Sequence, residues 1–175
     1  HAPRRPLGPA LWEQRIGQAL ALREQLYDQP FYRLVFGESD GLPGLVVDRY
    51  GDLLVVQITT AGMERVRPEI LAALEEVVGP TSILLRNDTA VRELEGLPLA
   101  NEVALGEPPV DIEGPEHGNR FLVSPLTGQK TGWFYDQAEN RDRLARFCQP
   151  RRALDVCSYI GAWGLRAARL GAEEV

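Results

Sequence analysis

The chain has 175 residues, 44% of them hydrophobic and 25% charged, a composition typical of one medium globular domain or two small ones. Its net charge of −6 argues against a chain that binds nucleic acid strongly by itself. It has no apolar run of about 18 to 20 residues, no visible secretory leader and no cysteine pair with zinc-ribbon or disulfide spacing, so we expect no membrane, metal or disulfide and a cytoplasmic location.

The first region, 1–30, is predicted to be a linker followed by a helix. Residues 1–9 are rich in proline, arginine and glycine, which is typical of a linker. From Ala10 to Tyr27 apolar residues recur at helical spacing, and Gly17 is the single interruption.

The second region, 31–109, is predicted to be a central α+β domain. Its aromatic and β-branched runs indicate strands, Gly51-Asp52 indicates a hairpin turn, and Pro68 fits the first turn of a helix. The predicted elements are a strand at 31–36, a loop at 37–44, hairpin strands at 45–50 and 53–59, a helix at 64–78, a strand at 82–86 and extended segments with turns at 87–109.

The third region, 110–175, is predicted to open an α/β unit. Asp136 fits a helix N-cap, with Glu139 completing a capping box, and Gly171 fits the end of the last helix. The predicted elements are hairpin strands at 110–113 and 120–123 around 114–118, a loop at 125–132, a helix at 136–148, a strand at 153–156 and a helix at 161–170.

The segment 154–164, LDVCSYIGAWG, has the order of a strand, a small-residue turn and a helix start. Such a corner presents free N–H groups and the positive end of the helix dipole to a ligand. Trp163 stands where a dinucleotide fingerprint needs a small residue, which disfavours a nicotinamide-binding domain. Two interpretations remain open at this point: a cofactor corner, and an ordinary turn with packing glycines.

The segment 128–137, GQKTGWFYDQ, concentrates amides, aromatic rings and a lysine immediately before a helix. Its aromatic rings suit the faces of a purine, and its amides suit the purine edge. The alternative is a turn and a capped helix whose aromatic residues join the core.

Three segments in one order resemble a known family. GLPGLVVDRYGD at 41–52, the segment 129–141 and CSYIG at 157–161 look like the RlmI-type methyltransferases. These are S-adenosylmethionine-dependent enzymes that methylate carbon 5 of a cytosine in large-subunit ribosomal RNA. The resemblance extends from about Leu11 to Val175.

The resemblance implies an RNA-binding PUA domain, a central α+β domain and a Rossmann-like class I methyltransferase domain. This sequence matches the central α+β domain, then the opening of the methyltransferase domain. It lacks a counterpart of the PUA domain and of the later strands that carry the family's nucleophilic cysteine. We therefore expect no catalytic residue among 1–175 and no activity of this stretch alone. An α+β module that spaces an RNA-binding domain from a catalytic one is the alternative function.

The resemblance also implies which residues contact S-adenosylmethionine. Three of these residues lie in the loop expected over the methionine end, three more follow it on the helix side, and the other five lie in the corner at 155–161. Trp133 and Trp163 are either core residues or have no assigned role. The implied cofactor-binding residues are Lys130, Thr131, Gly132, Phe134, Asp136, Gln137, Asp155, Cys157, Ser158, Tyr159 and Gly161.

Other polar residues are given structural or surface roles. Cys148 and Cys157 are not expected to be nucleophiles, and His117 is expected in a solvated turn. Ribosomal RNA is the expected partner of the parent protein, and strand 153–156 is expected to pack onto the 110–124 hairpin or a second copy, giving a possible homodimer. Four arginines are expected on a solvated face, with phosphate contacts as the alternative: Arg65, Arg67, Arg86 and Arg92.

Overall fold

A computed structural model describes residues 8–175, so most of the predicted linker at 1–9 lies outside the described part. Helix α1 spans Pro9–Leu26, which confirms the predicted first helix. Its buried face is formed by Trp12, Ile16 and Ala19, spaced three or four residues apart as one side of a helix requires.

A five-stranded sheet with the order β1-β2-β3-β4-β5 forms the centre of the molecule. Strands β2 and β3 form the predicted antiparallel hairpin, whereas β3 and β4 are parallel and are joined by helices. Strand β5 lies at the sheet edge within the segment that the sequence left without defined elements. The bounds are β1 Phe31–Phe36, β2 Leu45–Tyr50, β3 Leu53–Ile58, α2 Ala61–Arg65, α3 Arg67–Val78, β4 Ser82–Asn87, α4 Val91–Leu94 and β5 Ala100–Leu105.

The helix predicted at 64–78 is two helices, which corrects the sequence interpretation. Thr60 caps α2 by accepting a hydrogen bond from the Met63 amide, so helical structure begins earlier than predicted. Pro68 has no N–H group to continue the ladder of α2, and the chain turns at Val66 before α3 begins.

The two faces of the sheet bury two different cores. Alternate residues of β2 to β4, together with Leu34, pack against α1 and α3 in the first core. Residues of the opposite parity, including Tyr50, Val55 and Leu84, pack in the second core. The second core is completed from the third region by Phe121, Val123, Trp133 and Ala162. Both halves of the chain therefore pack against the central sheet, one on each face.

The third region begins with a hairpin whose strands are longer than predicted. Strands β6, Ile112–Glu116, and β7, Asn119–Val123, meet at a tight turn. His117 and Gly118 both have positive φ at this turn, as a type I′ two-residue hairpin turn requires. The predicted five-residue loop is therefore wrong.

The predicted helix at 136–148 is shorter than expected. Helix α5 spans Ala138–Ala145, between short 3₁₀ turns at Tyr135–Gln137 and Arg146–Cys148. Its N-cap is Gln137, and no side-chain cap is formed, so the capping box predicted for Asp136 and Glu139 is wrong. Helix α6 spans Ala162–Arg169.

The predicted strand at 153–156 is not formed. The neighbouring Arg152 makes a single parallel bridge with Glu174, and the side chains of Leu154 and Val156 are 89% and 71% exposed. A strand needs a partner ladder for its backbone groups, and the described residues provide only this bridge here. Contact with the hairpin comes instead from α6, whose Ala162 lies in the second core.

Within residues 8–175, no helix is both long and apolar enough to span a membrane.

Candidate functional site

The corner at 155–164 is closed by a carboxylate. Asp155 Oδ2 accepts the Gly164 amide at 3.0 Å, which fixes the start of α6 above the preceding segment. Gly161, the residue before α6, has a left-handed conformation. Gly164 packs so closely that an added Cβ would lie 2.9 Å from a Val175 methyl group. These glycines have geometric roles in the turn.

A hydroxyl group joins this corner to the loop at 129–132. Tyr159 Oη accepts the Gln129 amide at 3.2 Å and donates to the Gly132 carbonyl at 3.2 Å. The segments 128–137 and 154–164 are therefore in contact.

Between these two segments lies a cleft of about 370 Å³, here called the aromatic cleft. The rings of Phe134 and Tyr159 meet edge to face at 5.9 Å, and Lys130 Nζ lies 4.4 Å from the Phe134 ring centroid. The cleft is lined by Gln129, Lys130, Trp133, Phe134, Gln137, Arg141, Cys157, Ser158, Tyr159, Ala162 and Trp163.

Three residues of the aromatic cleft have strained backbones. Lys130, Cys157 and Tyr159 have φ values of 52°, 62° and 55°, although none is glycine. Such conformations cost on the order of 1–3 kcal/mol each and concentrate at ligand-binding sites. Only one other described non-glycine residue, His117 in the hairpin turn, shares this conformation.

The mouth of the cleft carries a loose ion pair. Asp136 Oδ2 lies 3.9 Å from Lys130 Nζ. Burial opposes ionisation of Asp136, but the Gln137 hydrogen bond and the charges of Lys130 and Arg33 prevail and lower its pKa. The carboxylate is therefore ionised at neutral pH.

Arg141 lines the cleft, but its guanidinium group is already paired with a carboxylate. Its guanidinium donates two hydrogen bonds to Glu116, of 2.6 and 2.5 Å, and lies 4.9 Å from the Trp133 ring centroid. Trp133 Nε1 donates to the same carboxylate at 2.9 Å. Glu116 thus neutralises Arg141, and Lys130 is the exposed cation of the cleft.

Strand β2 anchors the loop from behind. The Thr131 hydroxyl donates to the Asp48 carboxylate, and both side chains are fully buried. Tyr50 Oη donates to the Thr131 carbonyl at 3.1 Å, and Tyr135 Oη donates to the Arg49 carbonyl at 3.0 Å. Burial raises the pKa of Tyr50 well above its ordinary value, so this phenol remains a donor.

The structure brings together six of the eleven residues implied to bind the cofactor: Lys130, Phe134, Gln137, Cys157, Ser158 and Tyr159. Asp155 lines an adjoining cleft of about 320 Å³, which shares Cys157 and Trp163 with the aromatic cleft. The remaining four do not line the aromatic cleft: Thr131 and Gly132 lie behind it, and Asp136 and Gly161 lie beside it. All eleven assignments stay predictions.

Five lining residues were not assigned to the site by sequence. Gln129 and Arg141 fall within the segment 129–141 that carries the resemblance, and the two tryptophans were predicted to be core residues or had no predicted role. Ala162 had no signal of its own. The complete set is Gln129, Trp133, Arg141, Ala162 and Trp163.

Two of the arginines are structural, which corrects the solvated-face interpretation. Arg86 and Arg92 are 5% and 3% exposed. Arg86 donates to the Pro125 and Gly128 carbonyls, and Arg92 to the Ile58 and Pro98 carbonyls. Each is also paired with a carboxylate, of Asp88 and Glu64 respectively.

In the part of the chain that the structure describes, the remaining titratable groups form no second centre. Within residues 8–175 no cluster of histidine, cysteine and acidic residues suits a metal ion. Cys148 Sγ lies 3.8 Å from the Leu144 carbonyl, and Cys157 is exposed in the corner. His117 Nε2 lies 3.1 Å from the Ala138 carbonyl, so the histidine is held against α5 and is not simply solvated.

Comparison with known proteins gives sequence relatives along nearly the whole chain. The ribosomal RNA large subunit methyltransferase I of Erwinia tasmaniensis is 41% identical over 163 residues, covering 93% of this chain and 40% of that protein. The protein of the same name from Cronobacter sakazakii is 37% identical over 177 residues, covering 99% and 45%. The chain thus spans less than half the length of these curated relatives. No protein-family profile matches it.

Solved structures show the same fold at lower identity. A putative S-adenosylmethionine-dependent methyltransferase from Streptococcus mutans superposes with a TM-score of 0.80 at 22% identity, over 97% of this chain and 44% of that one. A putative methyltransferase complexed with S-adenosylhomocysteine superposes with a TM-score of 0.79 over the same shares. The predicted fold class, an α+β region followed by the opening of a Rossmann-like unit, is confirmed. The resemblance to the RlmI-type methyltransferases is likewise confirmed, since the chain is related over nearly all of its length to the ribosomal RNA large subunit methyltransferases I.

Proposed function

We propose that the aromatic cleft is the S-adenosylmethionine site of a ribosomal RNA methyltransferase, of which this chain forms the central domain and the start of the methyltransferase domain. The observation that carries the proposal is that two motifs of the family resemblance, at 129–141 and 157–161, form the two walls of one cleft. The curated relatives and the two methyltransferase structures support the same assignment.

The residues present fit this cofactor. Aromatic rings attract sulfonium and other cations through their faces and also accept a purine in stacking contact. Phe134, Tyr159 and Trp163 provide such rings, and Gln137 and Ser158 provide hydrogen-bonding groups beside them. Lys130 supplies a positive charge for a carboxylate, in a cleft that is also lined by Ala162 at the start of α6.

When bound, S-adenosylmethionine supplies an electrophilic methyl group. The chain's own residues would bind the cofactor and orient it. Tyr159 holds the loop against the corner, Asp155 holds the corner against α6, and Asp136 lies 3.9 Å from Lys130 Nζ. Aromatic side chains lie on both sides of the cleft.

The direct test is a calorimetric titration of the protein with S-adenosylhomocysteine. We expect micromolar binding by the unmodified protein and at least about fivefold weaker binding by Lys130→Ala, because one charge-assisted contact is lost. Alanine has the same strain as lysine at this positive φ, so the backbone preference is matched. Arg120→Ala, which removes an exposed cation of β7, is the control and should bind normally. No binding by the unmodified protein would refute the proposal.

The substrate that we propose is a cytosine of large-subunit ribosomal RNA, methylated at carbon 5. The names of the relatives support the ribosomal RNA, and the family resemblance supports the base and the carbon. We further propose that residues 1–175 by themselves do not catalyse the reaction, since neither Cys148 nor Cys157 is assigned as a nucleophile. Incubating RNA with labelled cofactor and digesting it to nucleosides tests both statements. Labelled 5-methylcytidine should form with the full-length protein and not with residues 1–175.

A structural role is the second candidate function. The shared sheet makes the central region a rigid connection between segments before and after it, which suits a spacer between an RNA-binding and a catalytic domain. A folded protein that shows no binding in the titration would favour this structural role. Sedimentation would test the possible homodimer at the same time.

A further inference from the structure

The loop at 129–132 is held from two directions at once. On one side the Gln129 amide donates to Tyr159 Oη in the corner. On the other side the Thr131 hydroxyl donates to Asp48, and the Thr131 carbonyl accepts from Tyr50 Oη. Lys130 lies between these attachments with a φ of 52°. The lysine at the mouth of the cleft is thus presented by a loop that is tied to both the corner and the central sheet.

Asp48 is a rigid point of attachment. It lies within β2, paired with Arg33 on β1 and Val55 on β3, and its side chain is fully buried. The carboxylate accepts hydrogen bonds from Arg33 Nε and Nη2 at 2.8 and 3.0 Å, in addition to the Thr131 hydroxyl. A buried carboxylate needs such partners, so its position is strongly determined.

The left-handed conformation of Lys130 is intrinsically unfavourable for a residue with a side chain. It persists only where the neighbouring residues are fixed by the surrounding structure. Without the Asp48 attachment, the C-terminal side of Lys130 would be released toward more favourable backbone conformations. The cleft would then lose the defined placement of Lys130 and of Phe134 beside it.

We propose that Asp48 is a positioning residue for the aromatic cleft, and that it acts through the Thr131 hydroxyl. It fixes the loop in the conformation that binds the methionine end of the cofactor. The inference rests on the proposed function. It gives the DRY sequence of β2, at 48–50, a role in the site, although these residues lie in the central sheet. It also gives Thr131 an indirect role in binding, because its hydroxyl donates to Asp48.

Thr131→Val in the full-length protein is the clean test, because valine keeps the branched shape and lacks the hydroxyl. We expect the Kd for S-adenosylhomocysteine to rise about tenfold, the effect of losing one hydrogen bond to a charged group. Thr131→Ser retains a hydroxyl and should restore most of the affinity. The matched control is Thr59→Val, which removes a partly buried hydroxyl bonded to the Gly44 carbonyl; neither residue lines the cleft, and the Kd should be unchanged.

A second measurement separates positioning from general stability. Amide hydrogen exchange of the ligand-free protein should accelerate at 129–132 in Thr131→Val, while the amides of β2 and β3 remain protected. A residue with a purely structural role would lower the melting temperature of the variant and leave the Kd, measured well below that temperature, unchanged.

A double-mutant cycle tests whether Asp48 and Thr131 act together. Asp48→Asn should also weaken binding, and the double variant should bind no more weakly than the worse single variant, because one attachment is lost in each case. Additive losses would show that Asp48 and Thr131 act independently and would overturn the inference. If Asp48→Asn does not fold, because Arg33 loses its partner, the Kd values of Thr131→Val and Thr131→Ser still test whether the Thr131 hydroxyl positions the loop.

The two proposals fail differently. If the unmodified protein does not bind the ligand, the cofactor site itself is refuted. If the unmodified protein binds and Thr131→Val binds equally well with unchanged exchange at 129–132, the positioning role of Asp48 is refuted and the cofactor site stands.

Discussion

At the scale of single residues, one hydroxyl group connects both walls of the cleft. Tyr159 Oη is bonded to the Gln129 amide and the Gly132 carbonyl, while its ring contacts Phe134. A Tyr159→Phe variant therefore loses the two hydrogen bonds that attach the loop but keeps the ring contact with Phe134.

Tyr159→Phe is expected to loosen the loop by about 1–2 kcal/mol, the net value of two ordinary hydrogen bonds. Hydrogen exchange at 129–132 measures this as faster exchange, and we expect weaker binding of S-adenosylhomocysteine in parallel. Tyr27→Phe, which removes an exposed hydroxyl after α1, serves as the control. Unchanged exchange in Tyr159→Phe would show that this hydroxyl does not hold the loop.

Sequence reasoning identified the residue types of the site better than their orientation. The motif and the resemblance together pointed to Lys130, Phe134 and Tyr159, which do share a cleft. The orientation of Thr131 was not predictable, because its partner Asp48 is 83 residues away in the chain. The burial of Arg86 was missed because backbone carbonyls are among its partners, and composition does not reveal them.

At the scale of elements, Gly44 lets the β1–β2 connection pass close to the N-terminus of α2. Its φ is 83°, and an added Cβ would lie 2.4 Å from Thr60 Oγ1. That oxygen also caps α2 by accepting the Met63 amide.

Gly44→Ala is therefore expected to destabilise the protein by about 2–4 kcal/mol, the sum of backbone strain, a lost cap and a displaced side chain. Gly79→Ala is the matched control, because Gly79 also has a positive φ but open space around its Cβ position. It should cost only about 1–2 kcal/mol from strain. Urea unfolding measures the difference, and equal losses would show that the approach to Thr60 is not limiting.

Helices α5 and α6 are joined by a carboxylate between two arginines. Hydrogen bonds from Arg166 and Arg146 lower the pKa of Asp142 to about 2. Because the folded pKa lies below the ordinary value, the associated stability is present above about pH 4 and is lost as the pH falls toward about 2.

The melting temperature of the unmodified protein is accordingly expected to fall more steeply between about pH 4 and 2 than that of Asp142→Asn, which has lost this contribution at every pH. Asp28→Asn changes an exposed carboxylate and should follow the unmodified protein. Parallel curves for the Asp142 variant and the unmodified protein would contradict the assignment.

Elements with a strong local pattern were predicted, and those that depend on distant partners were not. Helix α1 and the β2–β3 hairpin have clear periodicity and a Gly-Asp turn, and both are confirmed. Strand β5 lies within the extended segments predicted at 87–109, but its bounds were not predicted because its residues are mostly exposed at a sheet edge and give no apolar alternation. The segment 153–156 reads as a strand by composition, but the described residues offer it a single bridge.

At the scale of the whole molecule, the second core makes the two halves of the chain one cooperative unit. Phe121 packs on Trp133 with ring centroids 4.6 Å apart, and both belong to the cluster that includes Tyr50 and Val55 of the central sheet. We therefore expect the protein to unfold in one transition.

Phe121→Ala should cost about 3–5 kcal/mol by leaving a cavity between the hairpin and the sheet. We expect calorimetry to resolve a separate, earlier transition for the third region in this variant. Leu122→Ala is the control, since the neighbouring leucine on β7 faces away from the core and is exposed. A single transition shifted as a whole would show that the first core does not persist without the second.

The overall architecture was accessible because the chain alternates two kinds of pattern. Apolar and β-branched runs in β2 to β4 and helical spacing in α1 and α3 predict a sheet with a helical layer. The use of the second sheet face by a distant part of the chain was not predicted. Residues such as Val55 and Leu84 show only that this face is buried, and they do not say what covers it.

The shared sheet also sets an order of events as the chain is synthesised. Buried residues of the first core extend from Trp12 to Leu85, with partly buried contacts as far as Leu105, so this core can close before the hairpin has been made. The second face of the sheet stays uncovered until residues Phe121 to Ala162 have been synthesised. Until then an apolar surface centred on Val55 faces water, and a nascent chain that pauses between these points offers that surface to chaperones or to its neighbours.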